Sequence, residues 1–183
     1  MEEILRLHRL WLNGDPEGKR ADLSGASLVG ANLERVYLVR ASLAGANLTE
    51  ANLSGAILIE ANLAGANLSG SDLWGADLRR SDLRETDLRG AELFGADLSG
   101  STLREAILRE AILVGANLEG IKGKEIKTYY GNKHFAYSCD GYIKIGCMCE
   151  SIDWWKENYK DVGKKEGYSD EDIKEYGEFI WNG

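Results

Sequence analysis

A leucine recurs at every fifth position from Leu23 to Leu118, twenty times without a break. Two positions before each leucine lies a small residue, which is Ala fifteen times and Ser three times, with Val36 and Thr86 as the exceptions. On an α-helix a five-residue step advances by about 140°, so these leucines would share no face. On a flat strand an odd period would send successive leucines to opposite faces. All of them can be buried only if each five-residue unit turns a corner.

The residues around each leucine supply the chemistry of such a corner. Two positions after the leucine, Gly occurs twelve times, and Arg or Glu occurs at the other eight positions. The residue before the leucine is usually Asp, Asn, Ser or Glu. Gly permits left-handed backbone conformations, and Asn and Asp stabilise turns with their side chains. The period alone does not fix how many corners make one coil.

The repeated unit reads A-(D/N)-L-x-x, as in ADLSG at 21–25 and ANLTE at 46–50. It resembles the pentapeptide repeat family, and the resemblance covers 100 of the 183 residues. It implies an all-β solenoid, a right-handed quadrilateral β-helix with twenty residues per coil, so that 21–120 would form about five coils. The lead-in LHRLWLNGDPEGKR and the IGC sequence at 145–147 resemble pentapeptide proteins of phages and bacteria.

The segment 1–20 is predicted to form a capping helix followed by a turn. Residues 2–12 have an amphipathic pattern, which Asn13 and Gly14 end. A solenoid has two open edges that must be covered, so we expect this helix to cap the first coil.

The composition changes sharply after residue 120. Residues 21–120 contain eight Arg and no Lys, whereas 121–183 contain ten Lys, no Arg and twelve of the sixteen aromatic residues. The segment 121–183 is therefore predicted to be a separate α+β module of order ββαα. Its expected elements are strands over 134–139 and 142–147, joined by a turn at Asp140 and Gly141, and helices over 152–165 and 170–181 capped by Ser151 and Ser169.

Charge and composition exclude several classes of protein. A net charge of −8 argues against direct binding to nucleic-acid phosphates, which requires a basic face. No stretch approaches the roughly 20 apolar residues of a membrane span, and the N-terminus lacks the features of a signal peptide. An odd number of cysteines indicates reduced thiols rather than a disulfide framework, so a cytoplasmic location is expected.

The C-terminal module contains the residues that could carry chemistry. Its His and Cys residues have the spacing H-x4-C-x7-C-x-C, which is not that of a zinc site, and the two closest cysteines would strain one tetrahedral site. A Cys–His nucleophile pair would lack an orienting carboxylate and an oxyanion hole. Ordinary reduced cysteines are favoured, so no catalytic residue, metal or cofactor is predicted. The residues concerned are His134, Cys139, Cys147 and Cys149.

The solenoid surface is the more informative region. With twenty residues per coil, three apolar side chains would stack on the outside, beside a belt of carboxylates interleaved with arginines. Such a surface is either a solvated set of local ion pairs or a docking face. A second apolar column lies at Tyr37 and Ile57. Either column would be covered by the N-terminal helix, by the C-terminal module, by a partner or by a second copy of the chain. The candidate interaction surface comprises Trp74, Phe94, Val114, Asp72, Asp77, Asp87, Glu92, Asp97, Arg84, Arg89, Arg104 and Arg109.

The leading prediction is a non-enzymatic protein-interaction scaffold whose partner is a protein. The C-terminal module would supply specificity or form a homodimer. The family resemblance raises an alternative, a DNA mimic that binds DNA gyrase or another nucleic-acid-binding protein. Residues 21–120 have fourteen acidic and eight basic side chains. The arginines therefore weaken the negative electrostatic potential that would imitate a row of phosphates. An enzyme carried by the C-terminal module is the third alternative.

Overall fold

The computed structural model describes residues 1–131, 134–139 and 141–182. The chain divides into two compact units, Met1–Lys124 and Glu125–Gly183. Each unit has its own buried hydrophobic residues. Within the described ranges, no helix combines the length and the apolar character that crossing a bilayer requires.

The first unit begins with helix α1, Glu2–Leu12, as the sequence predicts. Two glutamates lie in its first turn, where carboxylates stabilise the helix dipole, and Asn13 is its C-cap. Its buried residue is His8, whose Nδ1 accepts a hydrogen bond from the backbone N–H of Ala21 at 3.0 Å. The helix is thereby fixed to the first five-residue unit.

Parallel bridges connect residues twenty positions apart, from Asp22↔Ser42 to Thr102↔Lys122. Each unit donates and accepts along this direction, as in the bond from the N–H of Leu53 to the carbonyl oxygen of Asp72 at 2.7 Å. The backbone groups of one coil are therefore satisfied by the coils on either side. The bridges form four columns, called walls one to four, which begin at Asp22, Ser27, Asn32 and Tyr37.

The leucines fill the interior between the walls. Every repeat leucine from Leu23 to Leu113 is at most 8% exposed, and Leu118 is partly buried. The small residue two positions earlier leaves room for these side chains. Where it is Ser71, the hydroxyl donates to the carbonyl oxygen of Leu68 at 2.7 Å, so the buried polar group is satisfied. Burial of each leucine stabilises the fold by about 2 kcal/mol.

Each corner is a four-residue turn with a left-handed residue. At the second position after every leucine, φ lies between 53° and 70°. In the first corner, the N–H of Ala26 donates to the carbonyl oxygen of Leu23 at 3.0 Å. A positive φ at the third residue of such a turn is typical of type II. Eight of these left-handed positions hold Arg or Glu rather than Gly.

The second unit contains an antiparallel sheet with strands in sequential order. Two helices follow the sheet and pack against each other. Ile143, Trp155 and Ile180 lie in the core that the sheet and the helices share. The elements are β1 Lys127–Tyr130, β2 Phe135–Cys139, β3 Tyr142–Ile145, β4 Met148–Ser151, α2 Ile152–Lys165 and α3 Asp170–Asn182.

The order of this unit is ββββαα, so the predicted order ββαα lacks two strands. The two predicted strands correspond to β2 and β3, and the predicted turn residue Asp140 lies outside the described residues. The missed strands, β1 and β4, are the two edges of the sheet. Neither contains a fully buried residue, so neither has the apolar alternation that identifies a strand.

Both helix starts have the predicted caps. The Ser151 hydroxyl accepts a hydrogen bond from the N–H of Trp154 at 3.2 Å. The Ser169 hydroxyl accepts from the N–H of Asp172 at 3.1 Å, and the Asp172 carboxylate accepts from the N–H of Ser169 at 3.1 Å. This reciprocal pair is a capping box, which fixes the start of α3.

Candidate interaction surface

Three side chains form an exposed apolar column beside wall three: Trp74, Phe94 and Val114. Trp74 is 60% exposed and Phe94 is 48% exposed, and Val114 is partly buried. The two rings meet edge to face, with their centroids 6.1 Å apart. Ile112 on the same wall is 37% exposed and extends the apolar area. The column therefore presents two large, pre-arranged aromatic side chains to solvent.

Two carboxylates lie on the same wall as this column. A parallel backbone bridge joins Asp72 and Glu92, so the two residues lie on neighbouring coils. The Asp72 carboxylate accepts a hydrogen bond from the N–H of Trp74 at 2.9 Å, which fixes the turn that presents the ring. Among the described residues, neither carboxylate forms a salt bridge with a cationic side chain. Wall three is therefore both apolar and acidic.

The corners after the apolar column carry no side chain. Glycine occupies four of them in succession, at Gly55, Gly75, Gly95 and Gly115. A Cβ added at Gly75 or Gly95 would meet nothing within 4 Å. Because Arg and Glu occupy eight other corners with the same φ, the fold does not require glycine here. The edge of the apolar column is consequently open to an approaching surface.

Elsewhere the predicted acidic belt is neutralised within its own repeats. The guanidinium of Arg79 bonds the carboxylate of Asp77, with Nε and Oδ1 2.8 Å apart. Hydrogen bonds from the arginine side chain lower the pKa of each aspartate in the three such pairs, and the same contact raises the pKa of each arginine. The three pairs are Asp77 with Arg79, Asp82 with Arg84, and Asp87 with Arg89.

The twelve predicted surface residues do not form one face, because they lie on all four walls. Arg104 and Arg109 each approach the glutamate that follows them, at 3.8 and 3.6 Å. Only the five residues of wall three combine apolar and unpaired acidic groups. Wall three holds Trp74, Phe94, Val114, Asp72 and Glu92; wall four holds Asp77 and Asp97; wall two holds Asp87, Arg89 and Arg109; and wall one holds Arg84 and Arg104.

A charged ladder at another corner was not predicted. Arg40, Glu60 and Arg80 occupy left-handed positions twenty residues apart. Arg40 Nε lies 2.7 Å from Glu60 Oε2, and Arg80 Nη1 lies 3.9 Å from Glu60 Oε1. Alternation of charge at this spacing was the signal in the sequence. Exposed pairs of this kind contribute at most about 1 kcal/mol each, so the ladder is a minor term in stability.

The second apolar column lies near α1. Tyr37 is 64% exposed, and Ile57 on the next coil is partly buried. A groove of about 270 Å³ runs between the helix and the first coil, and its lining includes Leu5, Leu33 and Tyr37. Helix α1 therefore approaches the start of this column but leaves the ring of Tyr37 accessible.

The histidine and cysteines singled out in the sequence separate into two groups. His134 and Cys147 line one cavity of about 180 Å³ in the second unit, between the sheet and the two helices. Cys139 is buried on β2 and Cys149 lies on β4, and neither lines that cavity. Within the described part of the chain, no three His, Cys, Asp or Glu side chains are grouped as metal ligands would be.

Comparison with known proteins places the coils in a family. Residues 19–55, 56–93 and 86–122 match the family model described as pentapeptide repeats (8 copies). No curated protein sequence matches the chain.

Several solved structures are similar to this chain over the repeats. A pentapeptide repeat protein from the Arabidopsis thaliana thylakoid lumen is 33% identical, over 52% of this chain and 63% of its own, with a TM-score of 0.37. One from the cyanobacterium Cyanothece 51142 is 29% identical, over 63% of this chain and 95% of its own, with a TM-score of 0.37. The plasmid-mediated fluoroquinolone resistance protein QnrB1 is 20% identical, over 55% of this chain and 66% of its own, with a TM-score of 0.30. This chain thus spans less than two thirds of the Arabidopsis protein.

The matched segments take in more than half of the chain and coincide with its ladder of parallel bridges. That ladder, the buried leucine at every fifth position and the left-handed corners are the features that the repeat requires, and the fold is the right-handed β-helix of such proteins. The chain is a member of the pentapeptide repeat family.

Proposed function

We propose that this chain is a non-enzymatic scaffold of about five coils that binds a protein partner through wall three. The observation that carries the proposal is the exposed pair of Trp74 and Phe94 beside the carboxylates of Asp72 and Glu92. Aromatic side chains that are held rigidly at a surface lose little conformational entropy on binding, and they dominate the energetics of many interfaces. Membership of the pentapeptide repeat family supports this proposal in general terms, since its members are generally structural or binding proteins.

The chemistry of wall three defines the partner. A complementary surface would bring an apolar group onto the two rings and cationic groups to the two carboxylates. An arginine satisfies both needs, because its guanidinium stacks on aromatic faces and pairs with carboxylates. The glycine corners at Gly75 and Gly95 leave room for such a segment to lie close to the backbone. The proposed partner is therefore a protein with a basic and apolar binding segment.

The alternative, a mimic of DNA that binds gyrase, is less well supported by the charges. Three aspartates of the predicted belt are paired with an arginine two residues further on. A pair of this kind has almost no field at a distance, unlike a row of phosphates. An assay of gyrase supercoiling separates the two functions, since a scaffold for another partner leaves the activity of gyrase unchanged.

The test uses two matched variants of the exposed apolar residues. Trp74→Ala removes a ring of the apolar column, and Val29→Ala removes a 54% exposed side chain on wall two. A photoreactive residue in place of Ser54, the position of wall three twenty residues before Trp74, traps the partner from a host lysate, and the trapped protein is then purified. We expect Trp74→Ala to weaken its binding by more than about tenfold, as for a central interface residue, and Val29→Ala to leave it unchanged.

A second pair of variants tests the role of charge. Asp72→Asn and Glu92→Gln together should lower the association rate and flatten its dependence on salt concentration. Equal binding by all these variants, with unchanged melting temperatures, would contradict the proposal and move the binding site to another surface.

The second unit is proposed to join two copies of the chain. Tyr130 and Trp181 are 65% and 62% exposed there. Large aromatic side chains that are exposed in this way are typical of protein interfaces. Light scattering during chromatography gives the mass in solution. A dimer that Trp181→Ser converts to a monomer supports this part of the proposal, and a monomeric parent chain refutes it.

A further inference from the structure

The second unit contains a cavity that the proposed scaffold function does not use. Its volume is about 180 Å³, and it lies where the turn between β3 and β4 faces α2 and α3. A cavity of roughly 150 Å³ in a protein interior holds one benzene molecule, so this space is large enough for one substituted six-membered ring. A ligand of that size would be partly enclosed, because His134, Cys147 and Glu166 in the lining are exposed.

The walls of the cavity are mostly aromatic and aliphatic. Trp155 is 2% exposed and its indole N–H donates to the carbonyl oxygen of Ile143 at 2.7 Å, so the ring is fixed. Tyr176 is 3% exposed, and its hydroxyl exchanges hydrogen bonds with the backbone of His134. Val162 and Ile173 complete the apolar side. These walls stabilise a flat apolar molecule by burial and by ring contacts.

One end of the cavity is polar. The imidazole of His134 is held by a hydrogen bond between its Nδ1 and the hydroxyl of Tyr168. Burial raises the pKa of Tyr168 to about 12, so this hydroxyl stays protonated at neutral pH. His134 is one of the lining residues of the cavity. Because Tyr168 engages Nδ1, Nε2 is the ring nitrogen through which the imidazole would bind a ligand.

The charges around the cavity exclude one class of ligand. Glu166 is one of the lining residues, and its negative charge near the cavity disfavours an anion. The apolar walls would also penalise any ion that lost its hydration there. A neutral molecule is consequently the best match.

We propose that this cavity binds a small neutral aromatic alcohol of the phenol class, with its ring between the aromatic walls and its hydroxyl on the imidazole of His134. Cys147 lies at the same cavity and is exposed, so its thiol reports on occupancy. Cys149, two residues further on, is partly buried on β4 and lies outside the cavity. The chain thus contains a reporter thiol and a matched control thiol.

The experiment measures alkylation of single thiols by N-ethylmaleimide in the full chain. The buried Cys139 is replaced by Ser in both proteins, so that Cys149→Ser reports on Cys147, and Cys147→Ser reports on Cys149. With phenol at ten times its Kd, about one cavity in eleven is empty, so alkylation of Cys147 should slow about tenfold. Alkylation of Cys149 should remain unchanged. No slowing at Cys147 up to the solubility limit of phenol, or equal slowing at both thiols, would overturn the proposal.

Two further probes and one variant test the chemistry of the ligand. Toluene should bind more weakly than phenol, and benzoate should give no protection. His134→Phe should weaken phenol binding by about two- to tenfold, the range for one hydrogen bond, and leave toluene binding unchanged. The variant should fold, because Tyr176 holds the backbone of His134 rather than its ring.

Tyr130→Phe is the matched control for that variant. Tyr130 is 65% exposed and does not line the cavity, so binding of both probes should be unaffected. Equal loss of phenol and toluene binding in His134→Phe would refute the role of the imidazole. Because the cavity lies in the other unit from wall three, these results are independent of the proposed scaffold function.

Discussion

The left-handed corner is the residue-scale constraint on this fold. Twenty successive units place one residue at positive φ, and eight of these residues have a Cβ. A left-handed conformation costs a non-glycine residue about 1–2 kcal/mol. All eight are Arg or Glu, and some of them recover part of that cost through ion pairs between coils, as between Arg40 and Glu60. Glycine occupies the corners beside the apolar column of wall three, where no side chain projects from the surface.

Gly75→Ala should lower the free energy of unfolding by about 1 kcal/mol. The residue has a φ of 61° and open space around its missing Cβ, so the loss comes from backbone strain rather than from a clash. Gly75→Asn should cost less, since Asn tolerates this conformation. Urea unfolding measures both, with Ser99→Ala at a turn of wall four as the control. A stability loss as large in the control would disprove the role of φ.

Leu73→Asp should unfold the coils cooperatively, because Leu73 has no exposed surface and an unpaired buried charge costs several kcal/mol. Ser69→Asp should be tolerated, because Ser69 lies at a partly exposed turn position. Thermal melting followed by circular dichroism compares them. Similar melting temperatures would mean that the inward and outward positions are assigned wrongly.

At the scale of elements, α1 depends on one buried histidine. His8 stacks on Trp11 with a centroid distance of 5.5 Å and accepts the N–H of Ala21. Protonation of Nδ1 would replace this acceptor by a second donor, so the bond to Ala21 would be lost. Gly18 adds a close contact, since a Cβ there would lie 2.1 Å from the backbone nitrogen of Trp11. One of the groups that hold helix α1 in place therefore titrates.

Stability should fall as the pH decreases below about 6.5. Burial, with a smaller contribution from the charge of Arg20, lowers the pKa of His8 from its ordinary value of 6.5. Between the two pKa values the unfolded chain binds more protons than the folded chain, so the free energy of unfolding rises with pH in that window. The stabilising contribution of neutral His8 is fully present above the window and is lost below it. Melting temperatures between pH 5 and 7.5 measure this dependence.

His8→Asn is the matched control for the pH effect. Its amide oxygen occupies the place of Nδ1 and accepts the N–H of Ala21 without titrating. The variant should therefore show a flatter pH dependence over the same range. A dependence as steep as that of the parent would assign the effect to other groups.

The elements differ in how far the sequence predicts them. The coils follow from a period of five, since only a corner in every unit buries each leucine, and α2 and α3 follow from Ser151 and Ser169 as caps. The edge strands β1 and β4 have no buried face and left no signal. The candidate surface was predicted residue by residue, but the pairing of Asp77 with Arg79 inside one repeat requires the turn geometry. The cavity joins residues from 134 to 176 and depends on tertiary structure.

At the scale of the whole molecule, the open question is what covers the last coil. The final bridge joins Thr102 to Lys122, and Ile107 and Ile112 are exposed near this edge. An uncovered ladder edge invites pairing with another chain. Our prediction remains that the C-terminal residues cover it.

Truncation after Lys124 tests this prediction, because it retains the last bridge and removes the second unit. The truncated chain should form larger oligomers or aggregates, through end-to-end association of the exposed edge. Size-exclusion chromatography with light scattering gives the distribution. A truncated chain that elutes as a monomer and melts like the parent would identify the second unit as an independent module tethered to self-sufficient coils.

The four-wall ladder also governs how such a chain can change in length. Loss of one five-residue unit, such as 81–85, would keep every later leucine inside but turn the following surface by a quarter of a coil. Phe94 would then lie on a different wall from Trp74, and the pair of rings would vanish from an otherwise intact protein. Loss of twenty residues would restore the alignment. Gene duplications and deletions can therefore preserve the interior at any multiple of five, whereas the walls before and after the change stay aligned only at multiples of twenty.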